Sequence, residues 1–302
     1  MQRKTLIPFL NYLWPTVILS CVLLLAALAL LVGRGLNFGI DFTGGALVQI
    51  QAPQAEGAAT QSVGDVRQAL TDAGMTQAVI QTFGAANEFL IRLPQGDQDV
   101  AARVQEALPA VDIRRVEFVG PQIGDELQTQ GLMALLVSLG AILLYVTMRF
   151  EFRYGIGAIL ALVHDVWLTL GVFALTQKEF TLPVLAALLT IIGYSLNDTI
   201  VVYDRIRENR RNKKKMPLRD VLNLSLTQML RRTLMTSFTT LLVLLALYLF
   251  GGAVIHDFAF TLLFGVVVGT YSSIFVAAPV LLFMEKWYLN REDNADKDTE
   301  TS

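Results

Sequence analysis

The chain has 302 residues, of which 54% are hydrophobic and only 17% are charged, and its formal net charge is -2. Soluble domains contain about 25% charged residues, so this composition, with a mean hydropathy of +0.51, indicates an integral membrane protein. The single cysteine, Cys21, excludes an intrachain disulfide and a CxxC metal or redox site. The GxxxxGK(S/T) and HExxH motifs and Cys/His clusters are absent as well. We therefore expect neither an enzyme nor a bound cofactor or metal.

Six apolar segments are long enough to cross a bilayer as helices, which takes about 20 residues each. They cover residues 14–33, 129–148, 154–176, 182–203, 232–251 and 258–284. The first segment has an apolar core too long for a signal peptide and no A-x-A cleavage pattern after it, so we interpret it as an uncleaved span. The sequence predicts an all-α membrane bundle of six transmembrane helices. Its divisions are residues 1–34 (N-terminus and helix 1), 35–128 (a domain outside the membrane), 129–286 (helices 2–6) and 287–302 (a polar tail).

Basic residues in the short loops predict the orientation, because cytoplasmic loops are enriched in Lys and Arg. The loop between spans four and five contains Arg205, Arg207, Arg210, Arg211, Lys213, Lys214, Lys215 and Arg219. Arg149 and Arg153 lie between spans two and three, whereas the opposite short loops contain only Lys178. Both termini and the 205–231 loop are therefore predicted to be cytoplasmic. We interpret the basic run as facing lipid headgroups and expect no nucleic-acid partner.

Residues 35–128 form the long non-membrane segment, and this topology predicts that they face outside. Strands are predicted at 46–52, 76–83, 87–93 and 111–119, and helices at 62–73, with Ser62 as N-cap, and at 97–108. The order β-α-β-β-α-β is that of an α+β ferredoxin-like domain, with two helices on one face of a four-stranded sheet. The segment contains no His, Cys or Trp and no visible catalytic cluster. A binding or lever role is therefore favoured over an enzymatic one.

Ionisable side chains inside a span cost roughly 2.5–3.5 kcal/mol on insertion scales and are functional candidates by default. Span three contains His164 and Asp165, roughly 15 Å from its cytoplasmic end. Span four contains Asn197 and Asp198, with Asp198 roughly 10 Å from the cytoplasmic boundary. All four are candidates for a proton relay. Two alternatives stay open: His164 as a structural hydrogen bonder, and Asp198 as an interhelical contact alone.

Span five supplies a partner for Asp198. Arg232 and Thr236 are separated by four residues and share one helix face, and Arg232 falls at a depth comparable to Asp198 on the antiparallel neighbour. Burial and a neighbouring cation act in opposite directions on a carboxyl, so its protonation can change with its surroundings, as a relay requires. Arg232 could instead extend to the headgroups. Asp257, at the outer start of span six, is either a further relay residue or a helix cap.

Small residues predict close helix packing in span six and flexibility before the first strand. Gly265, Gly269 and Ser273 follow one another at a spacing of four, which is the pattern of a helix-packing face. The sequence GIDFTGG at 39–45 contains Gly39, Asp41, Gly44 and Gly45. Glycine permits positive φ and close backbone approach, so a structural hinge is predicted there. A proton-exit or substrate contact is the alternative for this segment.

Five stretches together resemble the SecF family of protein-export membrane subunits, within the resistance-nodulation-division superfamily. They are GIDFTGG (39–45), ALVHDVWLTLG (161–171), GYSLNDTIVVYDRIREN (193–209), RRTLMTS (231–237) and FGVVVGTYSSIFVAAPV (264–280). The stretches occur in the expected order over nearly the whole chain. The resemblance implies six spans in the cytoplasmic (inner) membrane, with an extracytoplasmic domain between the first two, which agrees with the layout predicted above.

The resemblance also implies a function. Members of the family work with SecD beside the SecYEG translocon and use the proton motive force to bind or pull the emerging preprotein. Transport in the family depends on an intramembrane aspartate of the GYSxND sequence and on an arginine of the next span, which are Asp198 and Arg232 here. Asp257 lies where the family has a functional acidic residue. Two further functions stay open: a scaffold without coupling, and a small-molecule efflux subunit, which the small outside domain disfavours.

Overall fold

A computed structural model describes residues 6–53, 62–82, 87–93, 99–150 and 152–284, without the side chains of residues 253 and 254. Within these ranges six helices are long and apolar enough to cross a membrane. The prediction of six spans is thereby confirmed. The predicted polar tail, 287–302, lies outside the described residues, so its structure stays a prediction.

The elements form a helical bundle and a small domain that is inserted between the first two membrane-spanning helices. In chain order they are α1 (Leu13–Gly33), β1 (Asn37–Phe38), α2 (Ile40–Thr43), β2 (Gly45–Gln51), α3 (Val63–Asp72), β3 (Val79–Thr82), β4 (Glu88–Leu93), α4 (Val100–Ala107), β5 (Asp112–Val119), α5 (Pro121–Arg149), α6 (Phe152–Thr176), β6 (Glu179–Phe180), α7 (Leu182–Asn212), α8 (Leu218–Phe250) and α9 (Ala253–Ser272). A π-helical stretch, Ser273–Ala277, continues α9, and this last span runs from Ile255 to Met284.

The α/β domain consists of β2 to β5 with α3 and α4, in the order that the sequence predicts. Its strands form one antiparallel sheet in the order β3-β4-β2-β5. Alternate residues of β2, including Val48 and Ile50, are fully buried in the core with Leu70 of α3. Ser62 caps α3 through a reciprocal capping box with Asp65, as predicted, because the two side chains satisfy backbone donors that the helix leaves unpaired.

Three helices make the centre of the membrane bundle. The membrane-crossing windows of α6, α7 and α9 are half-buried or more, whereas α1, α5 and α8 expose most of theirs. Helices approach each other most closely at small residues. At Gly171 of α6, for example, an added Cβ would lie 2.4 Å from the Cβ of Ala27 of α1. The central helices are therefore enclosed by protein, and the outer three present apolar surface to their surroundings.

The structure corrects the predicted loop over 205–231. Helix α7 continues to Asn212 and α8 already begins at Leu218, so most of this segment is helical. The charged residues that end the apolar run are good helix formers, and hydropathy therefore marks where the apolar part stops rather than where the helix stops. Asn209 donates from Nδ2 to Ser225 Oγ at 2.9 Å, which holds the two extensions together.

The segment GIDFTGG forms the short helix α2, with glycines on both sides of it. Gly39 precedes the helix, and Gly44 and Gly45 follow it with φ values of 67° and 120°, which favour glycine. A Cβ on Gly44 would lie 2.9 Å from Cα of Pro121 at the start of α5. The glycines thus permit a close backbone contact between the domain and the second span. Whether the segment also acts as a hinge stays a prediction.

One feature has no counterpart in the predicted elements. Strands β1 and β6, each of two residues, pair in parallel, with Asn37 opposite Glu179 and Phe38 opposite Phe180. They connect the segment after α1 to the segment between α6 and α7. We refer to the end of the bundle beside the α/β domain as the domain end, and this pair lies there.

Candidate functional site

Asp165 is the centre of a buried hydrogen-bond network in the middle of the bundle. Its side chain is 1% exposed, and His164 Nδ1 lies 3.0 Å from Oδ1. Ser195 of α7 and Ser272 of α9 both donate from Oγ to Oδ2, at 2.5 and 2.7 Å. The carboxylate therefore links α6, α7 and α9, and it accepts enough hydrogen bonds to offset much of the cost of its burial.

The network continues from His164 toward α1. The imidazole stacks on the ring of Tyr271, with centroids 6.1 Å apart. The phenol of Tyr271 donates to the main-chain oxygen of Thr16 at 3.0 Å and shares a 3.1 Å hydrogen bond with Ser20 Oγ. His164 Nε2 has no hydrogen-bond partner among the described residues. Polar groups of four helices are therefore connected at this level of the bundle.

Sequence reasoning identified His164 and Asp165 but missed the serines that hold the carboxylate. Ser195 lies three residues before Asp198, and Ser272 lies next to Ser273, so both stand within stretches already singled out. Serines are common in membrane helices as packing residues, and only the approach of the three helices distinguishes these two. Ser272 also ends the regular part of α9, directly before the π-helical stretch, a deviation found frequently at functional sites.

Asp198 has a different environment from Asp165. Its side chain is 7% exposed, yet Oδ2 has no hydrogen-bond partner among the described residues, and neither have the buried hydroxyls of Thr199 and Thr233. Arg232 of α8 is near enough to act on the carboxylate electrostatically, but no ion pair links the two among the described residues. Asp198 thus differs from Asp165 in that one of its carboxylate oxygens, Oδ2, is buried without a hydrogen-bond partner among the described residues.

The other predicted relay residues near Asp198 lie on the surface of the bundle. Arg232, Thr236 and Asn197 are all exposed. The hydroxyl of Thr236 donates to its own helix, at 3.1 Å from the oxygen of Arg232 and 3.0 Å from that of Thr233. Arg232 is fourteen residues from the start of α8, roughly 20 Å along the helix. The structure therefore brings Arg232 near Asp198 and leaves Thr236 and Asn197 facing outward.

Asp257 lies at the domain end, far along the bundle from Asp198. Its Oδ1 accepts from Lys178 Nζ at 2.5 Å and lies 3.3 Å from His256 Nδ1. The alternative that Asp257 caps α9 is wrong: the helix begins at Ala253 after Gly252, because the Gly251–Gly252 pair turns the chain one helical turn earlier than the apolar pattern indicates. Asp41 is the residue that stabilises a helix start here, since its Oδ2 accepts from the backbone N–H of Leu182 at 2.8 Å.

The predicted small-residue face of the last span packs against α7. A Cβ on Gly265 would lie 2.2 Å from Cδ1 of Ile191, and one on Gly269 would lie 3.0 Å from Cβ of Ser195. Ser273 is fully buried in the π-helical stretch, and among the described residues its hydroxyl donates to Thr270 O of its own helix alone, at 3.0 Å. This close approach is what brings Ser195 and α9 to the Asp165 carboxylate.

Comparison with known proteins gives the family. A model described as "Protein export membrane protein SecD/SecF, C-terminal" matches residues 99–287, and the SecD/SecF GG motif matches residues 29–55. The chain is 49% identical over 295 residues to the protein translocase subunit SecF of Magnetococcus marinus, covering 94% of this chain and 93% of that protein. The chain belongs to the SecF family. The resemblance predicted from the sequence is confirmed.

Other members and solved structures agree with this assignment. The SecF protein of Desulfurispirillum indicum is 47% identical over 297 residues, covering 94% of this chain and 93% of that protein. A crystal structure of SecDF, a translocon-associated membrane protein from Thermus thermophilus, superposes with a TM-score of 0.86 at 38% identity over 95% of this chain. A second, SecDF in a super-membrane-facing form, gives a TM-score of 0.69 at 40% identity over 94% of this chain. The SecF-family chain spans only 40% of either SecDF chain.

Proposed function

We propose that this chain, with a SecD partner, uses the proton motive force to complete the translocation of preproteins that leave the SecYEG translocon. It performs no covalent chemistry and acts as a non-enzymatic subunit of the inner membrane. Both termini are cytoplasmic, because the basic extensions of α7 and α8 mark that side. The α/β domain, a ferredoxin-like unit, then lies outside, where it meets the emerging preprotein. Family membership supports this assignment to protein export.

The observation that carries the coupling part of the proposal is the contrast between the two intramembrane carboxylates. Asp165 accepts from Ser195 and Ser272 and lies within hydrogen-bond distance of His164, and such a network fixes a carboxylate and its helices in one arrangement. Asp198 is buried as well, but its Oδ2 has no partner among the described residues. The protonation of Asp198 is therefore less constrained by hydrogen bonds than that of Asp165, and we assign the alternating proton to Asp198.

A change of charge at Asp198 would act on the contact between α7 and α8. With Asp198 ionised, the guanidinium of Arg232 is attracted to it across the helix pair. With Asp198 protonated, that attraction is lost, and the buried hydroxyls of Thr199 and Thr233 can repack around a neutral carboxyl. Movement of α7 reaches the domain end, where Asp41 binds the first N–H of this helix. A local charge change thus biases a larger two-state element.

The surface of α7 and α8 supports a membrane-embedded partner. Asn197, Arg232 and Thr236 are exposed on the bundle at a depth where lipid contact with polar groups is costly. Gly193 and Thr190 extend the exposed stripe along α7, and small residues of this kind permit close helix packing. A SecD bundle covering this surface would enclose both Asp198 and Arg232. The related crystal structures contain SecD and SecF together as SecDF.

The test is preprotein release from sealed inner-membrane vesicles, measured with and without a proton gradient. Asp198→Asn removes the titratable group while keeping the side-chain shape, so the gradient-dependent part of release is expected to fall to the level seen without a gradient. Asp204→Asn is the matched control, because Asp204 lies six residues further along α7, is exposed, and faces Arg149 at 3.7 Å. That variant is expected to keep the response.

Full gradient-dependent release by Asp198→Asn would contradict the coupling role. The same result would favour the alternative of a scaffold that stabilises partner subunits, in which buried polar groups serve packing alone. Co-purification of SecD with the variant separates the two cases, since loss of assembly is a scaffold defect and loss of release with assembly intact is a coupling defect.

A further inference from the structure

A charged cavity of about 300 Å³ lies between the α/β domain and the domain end of the membrane helices. The sheet contributes its helix-free face, including Gln49 and Glu117, and the bundle contributes Asp41, Glu179 and Asp257. Neither Asp165 nor Asp198 lines it. Three carboxylates from separate parts of the chain therefore meet where the domain rests on the bundle.

Arg92 ties the sheet to this junction. Its guanidinium donates to the main-chain oxygen of Phe38 at 2.5 Å and to Asn37 Oδ1 at 2.9 Å, and it lies 3.8 Å from Glu179 Oε1. Asn37 and Phe38 form β1, which pairs with Glu179 and Phe180 of β6. The side chains of Arg92 and Glu179 are only 15% and 10% exposed. Docking of the domain therefore encloses this pair.

The fixed charges at the junction do not balance. Asp41, Glu179 and Asp257 bring three negative charges, whereas Arg92 and Lys178 bring two positive ones. Lys178 is engaged with Asp257, and Asp41 is engaged with the start of α7. Among the described residues, the only charged partner of the Glu179 side chain is Arg92, at 3.8 Å, which is longer than a hydrogen bond. One additional positive charge at Glu179 would neutralise the cluster, which burial favours.

The other titratable groups around the cavity do not supply that charge. Arg115 and Glu117 of the sheet form an ion pair with each other. His256 faces Asp257 rather than Glu179, and more than a third of its side chain is exposed. Among the described residues, no group of three or more His, Cys, Asp and Glu side chains is arranged to hold a metal ion. A proton would supply the missing charge with Glu179 as its only ligand.

We propose that Glu179 is a proton-binding site at the outer junction, and that its proton holds the α/β domain against the membrane bundle. Burial raises the pKa of the Glu179 carboxyl, an effect that Arg92 opposes and that Asp257 and Asp41 reinforce. A carboxyl whose pKa is raised in the docked arrangement binds its proton more tightly there, so the proton stabilises docking in return. Docking is therefore strongest below the ordinary pKa of glutamic acid and weakens as pH rises through the raised value.

This inference rests on the proposed function for its place in the transport cycle. An acidic outside would load Glu179 and keep the domain docked, and loss of the proton would leave a buried, undercompensated carboxylate that favours release. The site thus gives the domain its own response to outside protons, at the domain end of the bundle and separate from Asp198. A preprotein bound to the domain would be carried with it.

The test measures the distance between domain and bundle by electron paramagnetic resonance of the full chain, assembled with SecD in lipid nanodiscs. Spin labels are attached at Gln68→Cys on α3 and Thr176→Cys on α6, both exposed positions, with Cys21→Ser removing the natural thiol. Across a pH titration, the distance distribution is expected to be narrow at acidic pH and to shift or broaden as the pH rises through the raised pKa of the Glu179 carboxyl. Glu179→Gln, which mimics the protonated side chain, is expected to stay narrow throughout the titration.

Further variants make the outcome specific to Glu179. Asp257→Asn removes a charge that raises the pKa of Glu179, so the transition is expected at lower pH, whereas Glu117→Gln and His256→Gln are expected to keep the response. A distribution independent of pH, a normal response in Glu179→Gln, or loss of the response in His256→Gln would overturn the proposal. A shift caused by sodium at constant pH would also overturn it. Asp198→Asn is expected to keep this response even where it abolishes release, so the two proposals fail separately.

Discussion

At the scale of single residues, hydrogen bonding distinguishes two buried carboxylates, Asp165 and Asp198, which the sequence alone does not distinguish. Asp165 and Asp198 are both buried acids in apolar helices, and both stand out in the sequence for the same reason. Only the packing of three helices shows that serine hydroxyls reach Asp165, while Oδ2 of Asp198 has no partner among the described residues. Ser195 is one turn of α7 from Asp198, roughly 5 Å along the axis. Helix α7 therefore carries both a donor to the Asp165 network and, one turn away, the Asp198 carboxylate.

The two adjacent serines of the last span provide a direct test of the Asp165 network. Ser272→Ala removes a donor to the buried carboxylate and is expected to lower the free energy of unfolding by about 1–2 kcal/mol. Ser273→Ala is the control, because Ser273 is equally buried but bonds only to its own helix, and it is expected to change stability by less than about 0.5 kcal/mol. Reversible unfolding of the chain in mixed micelles measures both. Equal losses in the two variants would show that the hydroxyl of Ser272 contributes nothing through Asp165.

At the scale of elements, local signals predict the helices well and the long-range contacts poorly. Hydropathy marks all six spans, and the Ser62 cap marks the start of α3, because both depend on residues close in sequence. Strands β1 and β6 have two residues each and lie about 140 residues apart, so no local pattern indicates that they pair. The partners of Glu179 and Asp165 follow from such long-range contacts. Sequence therefore predicts which groups are candidates, and tertiary packing decides what each one touches.

Helix contacts in the bundle predict that alanine substitutions at two glycines change the stability of the protein in opposite directions. Gly171→Ala would place its Cβ 2.4 Å from Cβ and 3.0 Å from Cα of Ala27, and the backbone atom cannot rotate away. The substitution is expected to separate α1 from α6 at a cost of about 1–3 kcal/mol. At Gly193 of α7, an added Cβ would have no neighbouring atom within 4 Å. Gly193→Ala is therefore expected to stabilise the isolated chain by up to about 1 kcal/mol, because alanine has the higher helix propensity. Denaturation of both variants in mixed micelles gives the comparison, and an unchanged midpoint for Gly171→Ala would contradict the close contact.

At the scale of the whole molecule, ionisable groups occupy three levels along one axis. The Glu179 cluster lies at the domain end, Asp165 lies between the central helices, and Asp198 lies toward the opposite end. Helix α7 passes all three, since Asp41 binds its first turn, Ser195 reaches Asp165, and Asp198 follows one turn later. A rigid helix that contacts each level can transmit a displacement from one end of the bundle to the other. The direction of that transmission depends on which end faces the cytoplasm.

The orientation can be measured with single cysteines in a Cys21→Ser background. Gln68 lies exposed on the α/β domain, and Lys214 lies exposed between α7 and α8. Because basic loops remain cytoplasmic, Gln68→Cys is expected to react with a membrane-impermeant maleimide in intact spheroplasts, and Lys214→Cys only after permeabilisation. A permeant maleimide serves as the control that both thiols are reactive. The reverse pattern would place the Glu179 cluster at the cytoplasmic end of the bundle. Outside protons would then not reach Glu179 directly, and the proposed loading of this carboxyl from the outside would be contradicted.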